Sequence, residues 1–233
     1  ITTYCYIEPK WSYCEILRKA VNTLSKIKMD YRVLGDVGTN CYLVINDDAK
    51  EAVLIDPADC ADKIEQMISE NGVTLKAILL THGHYDHITA ADDIRKMYDV
   101  KIYASCDEAE LLLDTHKNLS AHSRKVVTLK ADVLHKDGDI LELAGINIEV
   151  KHTPGHTIGG SCYYIKEAGM LFSGDTLFAE SVGRTDFPTG SMSQIVHSIK
   201  DKLMNLPEDT KVFPGHGEST SIGYEKKYNP FLQ

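Results

Sequence analysis

The sequence predicts an α/β fold of four layers, an αββα sandwich in which two β-sheets face each other and helices cover both outer sides. Short β-type runs alternate with amphipathic helical stretches, and no linker or low-complexity segment interrupts them. The 233 residues are enough to bury one large core. Two β-rich halves, each flanked by helices, place polar loops at one rim of the sheets.

Residues 1–28 differ in pattern from the rest of the chain. Apolar residues recur there at helical spacing, at Ile16, Leu17, Ala20, Val21 and Leu24. We therefore predict a helical N-terminal extension over residues 1–28 and one core domain over residues 29–233.

The first half of the core domain begins as a meander and continues with alternating strands and helices. Gly, Asn and Asp residues separate the β-type runs, and Asn71-Gly72 is a left-handed stop that ends the first helix. The predicted strands are 31–34, 41–45, 52–55, 75–80 and 101–104, and the predicted helices are 61–70, 86–98 and 107–113.

The second half repeats this organisation with shorter strands. Its apolar runs are bounded by turn residues, and one amphipathic stretch follows them. The predicted strands are 140–143, 146–150, 162–165, 170–172 and 211–213, and the predicted helix is 192–203.

Composition limits the partners and the compartment. The net charge of −9 and the pI near 5.5 argue against a surface that neutralises nucleic-acid phosphates, and no apolar run approaches the roughly 20 residues of a bilayer span. The six cysteines contain no C-x-x-C pair, which favours reduced thiols. Charged residues interrupt the first 28 positions, which argues against a secretory hydrophobic segment there. We expect a small molecule as ligand, no nucleic-acid or membrane partner, and a cytoplasmic location. The oligomeric state is left open by the sequence.

The strongest chemical signal is a loop that carries His82, His84, Asp86 and His87. It follows the apolar strand at 77–80 and precedes a helix. Alternate residues of an extended backbone share a face, so His82 and His84 point at one centre. Asp86 and His87 lie where the chain turns into the helix, and they could serve a second ion roughly 3.5–4 Å away. Imidazole and carboxylate ligands suit a borderline divalent metal such as zinc.

Three later turns each carry one further candidate ligand. His156 and His216 both follow a Pro-Gly turn at the end of a strand, and Asp175 lies in Ser173-Gly174-Asp175-Thr176. Each turn alone is weak evidence, since Pro-Gly and Asx turns are common without a metal. Their occurrence together with the earlier loop favours a metal site.

This ordered set of residues resembles the metallo-β-lactamase superfamily over nearly everything after Met29. The resemblance implies the metallo-β-lactamase fold, two divalent ions and a metal-bridging hydroxide as nucleophile. It assigns His82, His84 and His156 to the first ion. It assigns Asp86, His87 and His216 to the second ion, with Asp175 bridging both and Asp86 and Asp175 as the catalytic carboxylates. This set of nitrogen and oxygen ligands favours zinc and also tolerates iron or manganese.

Within the superfamily the chain looks most like the short bacterial relatives of glyoxalase II, the hydroxyacylglutathione hydrolases. Asp175 stands where many β-lactamases of this fold have cysteine, and His84 stands where flavodiiron proteins have glutamate. The segment Gly183-Arg184-Thr185-Asp186-Phe187-Pro188 matches the short glyoxalase II-like type. The resemblance therefore implies hydrolysis of a thioester such as S-lactoylglutathione or a related hydroxyacyl thioester.

Substrate recognition is less well defined by the resemblance. Arg184 falls nine residues after Asp175, the offset of a substrate-contacting lysine in long glyoxalase II enzymes, so it is the candidate for binding a substrate carboxylate. Those enzymes have a tyrosine where this chain has Asp186, and they end in a helical domain, whereas only residues 218–233 follow the last metal motif here. Glutathione as the thiol of the substrate therefore stays open.

Two other functions compete with this prediction. A persulfide dioxygenase, which uses a single iron and oxygen, resembles the chain even at Gly183-Arg184-Thr185-Asp186-Phe187, but those enzymes depart from the intact Pro214-Gly215-His216-Gly217 of this sequence. A non-catalytic binding module on the same fold would be expected to lose at least one ligand, and none is missing.

Overall fold

The computed structural model describes residues 27–233. The predicted N-terminal helix lies outside the described residues. The first strand begins at Ile27, so regular structure already starts two residues before the predicted domain boundary at Met29.

The first sheet combines an antiparallel meander with a parallel extension. Its strands are β1 (Ile27–Leu34), β2 (Thr39–Asn46), β3 (Glu51–Ile55), β4 (Thr74–Leu79), β5 (Lys101–Ser105) and β6 (Val133–His135), paired in this order. The pairs from β1 to β3 are antiparallel, and the pairs from β3 to β6 are parallel. The parallel part directs the carboxyl ends of β4 and β5 to the same edge.

The second sheet has six strands in the order β14-β13-β10-β9-β8-β7, and β11 pairs with β12 separately. These strands are β7 (Ile140–Leu143), β8 (Ile146–His152), β9 (Ser161–Ile165), β10 (Met170–Gly174), β11 (Leu177–Phe178), β12 (Ser181–Val182), β13 (Lys211–Pro214) and β14 (Thr220–Ser221). Strands β10 and β13 are parallel, so both end at one rim.

Helices cover the outer faces of the two sheets. They are α1 (Ala61–Asn71), α2 (Tyr85–Ile88), α3 (Ala91–Tyr98), α4 (Ala109–Leu113), α5 (Met192–Ser198) and α6 (Ile222–Tyr228). A π-helical segment, Ile199–Leu203, continues α5, and 3-10 turns span Cys106–Glu108, Ser120–His122 and Lys166–Ala168.

Three layers of buried apolar side chains separate the two sheets and the helices. Val44, Val53 and Leu79 of the first sheet meet Ile148 and Phe172 of the second. The outer face of the first sheet packs on α1 and α3, and the outer face of the second packs on α5 and the π-helical segment. This order of layers confirms the predicted αββα sandwich.

The predicted helix over 86–98 is instead two helices, α2 and α3. The backbone N–H of Ala90 donates to Pro57 O at 3.0 Å, outside the helix, while Thr89 Oγ1 donates to Tyr85 O at 2.6 Å. These bonds end the first helical turn. The prediction also missed β6, β11, β12 and β14, which are too short to show a hydrophobic period. It missed α6 because Ile222 is the only aliphatic residue of that helix.

Candidate metal centre

The predicted ligands all follow the carboxyl ends of strands. The loop with His82 to His87 follows β4, and His156 follows β8, while Asp175 comes directly after β10 and His216 after β13. Strands of both sheets end at this rim, and the backbone N–H of Asn40 donates to Gly215 O at 2.7 Å between the sheets. The two halves of the chain therefore meet at the candidate site.

Local backbone geometry directs the ligand residues of the first loop towards two neighbouring points. His84 is extended, with φ −63° and ψ 146°, and α2 starts at the next residue. His82 and His84 consequently approach the same point, as the extended backbone predicts. Asp86 and His87 lie in the first turn of α2 and face a neighbouring point.

The first candidate metal-binding group consists of His82, His84 and His156. Its ligand atoms lie within 4.8 Å of one another, and His84 Nδ1 is 2.9 Å from His156 Nε2. All three side chains are buried.

The second candidate group consists of Asp86, His87 and His216, whose ligand atoms also lie within 4.8 Å. His216 Nε2 is 3.2 Å from Asp86 Oδ2, and His87 Nε2 is 3.5 Å from the same oxygen. His216 keeps 28% of its side chain exposed, so this group is the more open of the two.

Asp175 lies between the two groups. Its Oδ1 is 3.4 Å from His87 Nε2, and its Oδ2 is 3.5 Å from His156 Nε2 and 3.6 Å from His216 Nε2. One carboxylate thus contacts ligands of both groups, which is the position that a bridging ligand requires.

Several polar atoms of this cluster are buried and form no hydrogen bond with the described residues. They are His82 Nε2, His84 Nε2, His87 Nε2 and Asp175 Oδ1. Buried polar groups are normally hydrogen-bonded, so unpartnered donors and acceptors that converge on one place indicate a missing ligand. Nitrogen and oxygen atoms of this kind fit a divalent metal ion.

The electrostatics of the first group favour neutral imidazoles. Burial lowers the pKa of His82 well below its ordinary value, and burial together with the neighbouring His156 lowers the pKa of His84 to about 3. Burial also lowers the pKa of His156. Metal binding requires the neutral form of histidine, and these side chains are in that form at neutral pH.

His87 has the opposite electrostatic setting. Burial alone would lower its pKa, but the surrounding carboxylates of Asp86, Asp175 and Asp56 raise it well above the ordinary value. The same attraction outweighs burial at Asp86 and Asp175 and lowers the pKa of both carboxyl groups. The carboxylates are therefore charged and available as ligands.

Residues outside the ligand set orient it. Asp56 accepts from the Thr81 N–H at 2.8 Å, from Thr81 Oγ1 at 2.6 Å and from His87 Nδ1 at 2.9 Å, which leaves His87 Nε2 facing the cluster. His156 Nδ1 donates to Arg184 O at 2.6 Å. The sequence reasoning missed Asp56, although an Asp-Pro pair at the end of an apolar strand was a visible signal.

Thr39 and Gly215 also shape the second group. Thr39 Oγ1 donates to Asp86 Oδ2 at 3.0 Å. A Cβ atom at Gly215 would lie 2.2 Å from Asp175 Oδ1 and 2.7 Å from His87 Cε1. Only glycine leaves room for the carboxylate here, and this explains the glycine of the Pro214-Gly215-His216 turn.

A cavity of about 490 Å³ opens directly onto the cluster. Its wall is largely apolar beyond the polar floor of the candidate ligands, and it includes Val37, Leu119, Phe178, Val182 and Phe187. Leu119 has a left-handed φ of 67°, an uncommon conformation for a bulky residue. The cavity can hold a small organic substrate next to the cluster.

Arg184 lies on the wall of the same cavity, as expected for a substrate contact. Its guanidinium group pairs with Asp186 at 2.8 Å and lies 4.1 Å above the centre of the Phe187 ring. The side chain is 66% exposed, so it can turn towards a ligand at small cost. The ion pair with Asp186 therefore leaves Arg184 able to bind a substrate.

In the part of the chain from residue 27 onwards, the helices are too short and too polar to cross a lipid bilayer.

Sequence comparison identifies the class of protein. The profile of the metallo-β-lactamase superfamily matches residues 34–216, and this chain belongs to that superfamily. It is 40% identical over 201 residues to the protein named "Probable metallo-hydrolase YqgX" of Bacillus subtilis, covering 85% of this chain and 94% of that protein. It is 38% identical over 199 residues to the hydroxyacylglutathione hydrolase GloC of Haemophilus influenzae, covering 83% of this chain and 92% of that protein.

Solved structures agree with this classification. The BLEG-1 B3 metallo-β-lactamase aligns with a TM-score of 0.84 at 39% identity, covering 88% of this chain and 99% of that one. ETHE1 from Myxococcus xanthus aligns with a TM-score of 0.72 at 31% identity, covering 87% of this chain and 83% of that one. The predicted metallo-β-lactamase fold is confirmed, and the relatives support a metal-dependent hydrolase.

Proposed function

We propose that this protein is a two-metal thioester hydrolase of the glyoxalase II-like type. The observation that carries the proposal is the convergence of two ligand groups on Asp175, with His82, His84 and His156 on one side and Asp86, His87 and His216 on the other. Zinc is the proposed metal, with iron or manganese as alternatives, because the donors are imidazole and carboxylate groups.

When two divalent ions are bound there, they supply a nucleophilic water of lowered pKa and polarise the carbonyl oxygen of the substrate. The protein side chains arrange the rest of the reaction. Asp86 is fixed by Thr39 and by the nearby His216 ring, so its carboxylate accepts a hydrogen bond from the attacking water in a defined direction. Asp175 keeps the two ligand groups together.

The reaction forms a bond between the water oxygen and the carbonyl carbon and breaks the bond from that carbon to sulfur. The sulfur leaves with the bonding electron pair, and the proton of the water goes to solvent or to the thiolate. A thiol of pKa near 8.5 is a good leaving group, so no additional general acid is required. This suits a site in which the strong acids and bases already serve as ligand candidates.

The substrate we propose is a hydroxyacyl thioester such as S-lactoylglutathione. The likeness to GloC supports this choice. The acyl group would lie in the apolar cavity beside the cluster, and Arg184 would bind a carboxylate of the thiol portion after exchanging its Asp186 partner. The guanidinium fork matches a carboxylate geometrically.

A second candidate is a persulfide dioxygenase that uses one iron, and the likeness to ETHE1 supports it. Hydrolysis is favoured over this candidate because His216 joins Asp86 and His87 to complete a second ligand group. An enzyme with one ion has no need of that group.

Anaerobic assay of the zinc-loaded protein separates these candidates. S-Lactoylglutathione, other hydroxyacyl thioesters and a chromogenic cephalosporin would be compared, with release of thiol or of chromophore as the readout. Thiol release without oxygen is the expected result. Oxygen consumption by the iron-loaded protein with glutathione persulfide, and no thioester turnover, would establish the second candidate instead.

The proposal includes a cytoplasmic location. The cysteines that the structure describes, Cys41, Cys60, Cys106 and Cys162, are free thiols, which is the state that a reducing compartment maintains. The expected absence of nucleic-acid and membrane partners stays a prediction.

A further inference from the structure

Glu108 is a buried carboxylate that lies outside the proposed ligand set. It ends the 3-10 turn Cys106–Glu108, just before α4, and only 1% of the residue is exposed. No salt bridge of the described residues includes it. An unpaired charge at such a position is costly, so its hydrogen bonds must offset the loss of water.

The carboxylate of Glu108 joins two loops that are far apart in sequence. Its Oε2 accepts from the backbone N–H of Gly83 at 3.0 Å, and its Oε1 accepts from the backbone N–H of Gly159 at 2.7 Å. Gly83 lies between His82 and His84, and Gly159 lies three residues after His156. One side chain therefore holds both loops that carry the first ligand group.

Close packing reinforces this connection. A Cβ atom at Gly83 would lie 2.7 Å from Leu111 Cδ2 and 3.0 Å from Glu108 Oε2. A Cβ atom at Gly159 would lie 2.6 Å from the backbone nitrogen of Glu108. Glycine at both positions lets the loops lie directly on the segment that bears Glu108, which leaves little freedom for either loop.

We propose that Glu108 is a positioning residue for the first metal-binding group, acting through the loop backbones and without contacting an ion. The hydrogen bonds of its two oxygens set the separation between the His82–His84 loop and the His156 loop. The second group has other supports, namely Asp56 for His87 and Thr39 for Asp86. Loss of Glu108 should consequently weaken the first group selectively. This inference rests on the metal centre of the proposed function.

The test measures binding of Zn²⁺ alone, in competition with a chromophoric chelator. In Glu108→Gln one oxygen still accepts, but the new amide N–H group faces the other backbone donor. We introduce this change into His216→Ala, where the remaining ion is held by the first group, and into His84→Ala, where it is held by the second. We expect a loss of affinity of about 10- to 100-fold in the first background, the size seen for groups that orient metal ligands, and little change in the second.

Glu225→Gln is the matched control. Glu225 is also a fully buried carboxylate that joins separate segments, accepting from the Glu180 N–H at 2.9 Å and from Thr220 Oγ1 at 2.6 Å. It lies outside the ligand groups, so its loss should lower thermal stability without changing Zn²⁺ affinity in either background. Glu108→Asp, whose shorter side chain cannot reach both loops, repeats the test if the glutamine variant does not fold.

The outcomes separate the inference from the proposed function. If the wild-type protein binds fewer than two Zn²⁺ ions, the proposed function fails. If the wild-type protein binds two and Glu108→Gln leaves affinity unchanged in the His216→Ala background, Glu108 has no positioning role. An equal loss in both backgrounds, or in Glu225→Gln, would also overturn the inference, because the effect would then be general destabilisation.

Discussion

The two halves of the chain reach the metal centre by different routes. The first half contributes His82, His84, Asp86 and His87 from one loop between β4 and α2. The second half contributes His156, Asp175 and His216 from three separate loops of its sheet. Both groups of ligands contain residues of both halves.

In the first half, the positions of the ligand side chains follow from local backbone conformation. In the second half, they depend on how the strands and sheets pack. Backbone conformation alone directs His82 and His84 to one point. His156, Asp175 and His216 come together only because β8, β10 and β13 end at the same rim and the sheets are held face to face. Substitutions in the second half should therefore disturb the metal centre in two ways: by removing a ligand, or by weakening the contacts between the two sheets.

The largest effect is expected at Asp175, the second-half residue that contacts both ligand groups. Asp175→Ala should lower kcat for the thioester about 1,000-fold, because metal-assisted catalysis supplies several kcal/mol of transition-state stabilisation. Bound zinc should fall from two ions to one. Steady-state assay and metal analysis provide the readouts.

Asp209→Ala is the control for this variant, since Asp209 is an exposed carboxylate in a turn away from the rim. It should retain activity and both ions. Normal turnover of Asp175→Ala would contradict the bridging role.

An intermediate effect, on the free energy of unfolding, is expected where the two sheets meet. His135 Nε2 of β6 lies 2.9 Å from Tyr163 Oη of β9, and that hydroxyl donates to Leu80 O at 2.7 Å, just before the first ligand loop. Burial lowers the pKa of His135 to about 4. The unfolded chain, with a pKa near 6.5, binds the proton first, so His135 reduces stability as the pH falls from 6.5 towards 4.

His135→Gln removes this titration and keeps a donor near Tyr163. The free energy of unfolding of the wild type should fall by about 2 kcal/mol more than that of the variant between pH 7.5 and pH 5. Urea unfolding at both pH values measures this difference, and the other histidines cancel because both proteins contain them. An equal fall in the free energy of unfolding of both proteins would show that His135 does not cause the pH dependence.

The smallest effect is expected at Arg184, a second-half residue on the cavity wall. Arg184→Ala should raise KM about fivefold and leave kcat unchanged, because an exposed ion pair contributes little. The Arg184 carbonyl that holds His156 is retained in the variant. Arg184→Lys should recover part of the loss. An unchanged KM with a lower kcat would indicate that residue 184 acts on the ligand loop instead.

The accuracy of the sequence predictions depends on whether a feature is set by residues close together in the chain. The long strands, α1 and α5 were predicted because their hydrophobic periods are regular over enough residues. The break at Thr89 and Ala90 was missed because it depends on a bond from the Ala90 N–H to Pro57 O, which no local pattern contains. Glu108 was missed for the same reason, since both of its partners are distant in sequence.

The sequence by itself determined the alternation of strands and helices and the arrangement of His82, His84, Asp86 and His87, because these depend on residues close together in the chain. Tertiary structure alone decided how His156, Asp175 and His216 approach them. It also decided which buried carboxylates hold the loops in place. The physical reason is that such contacts depend on how two sheets pack, and packing is a property of the whole core.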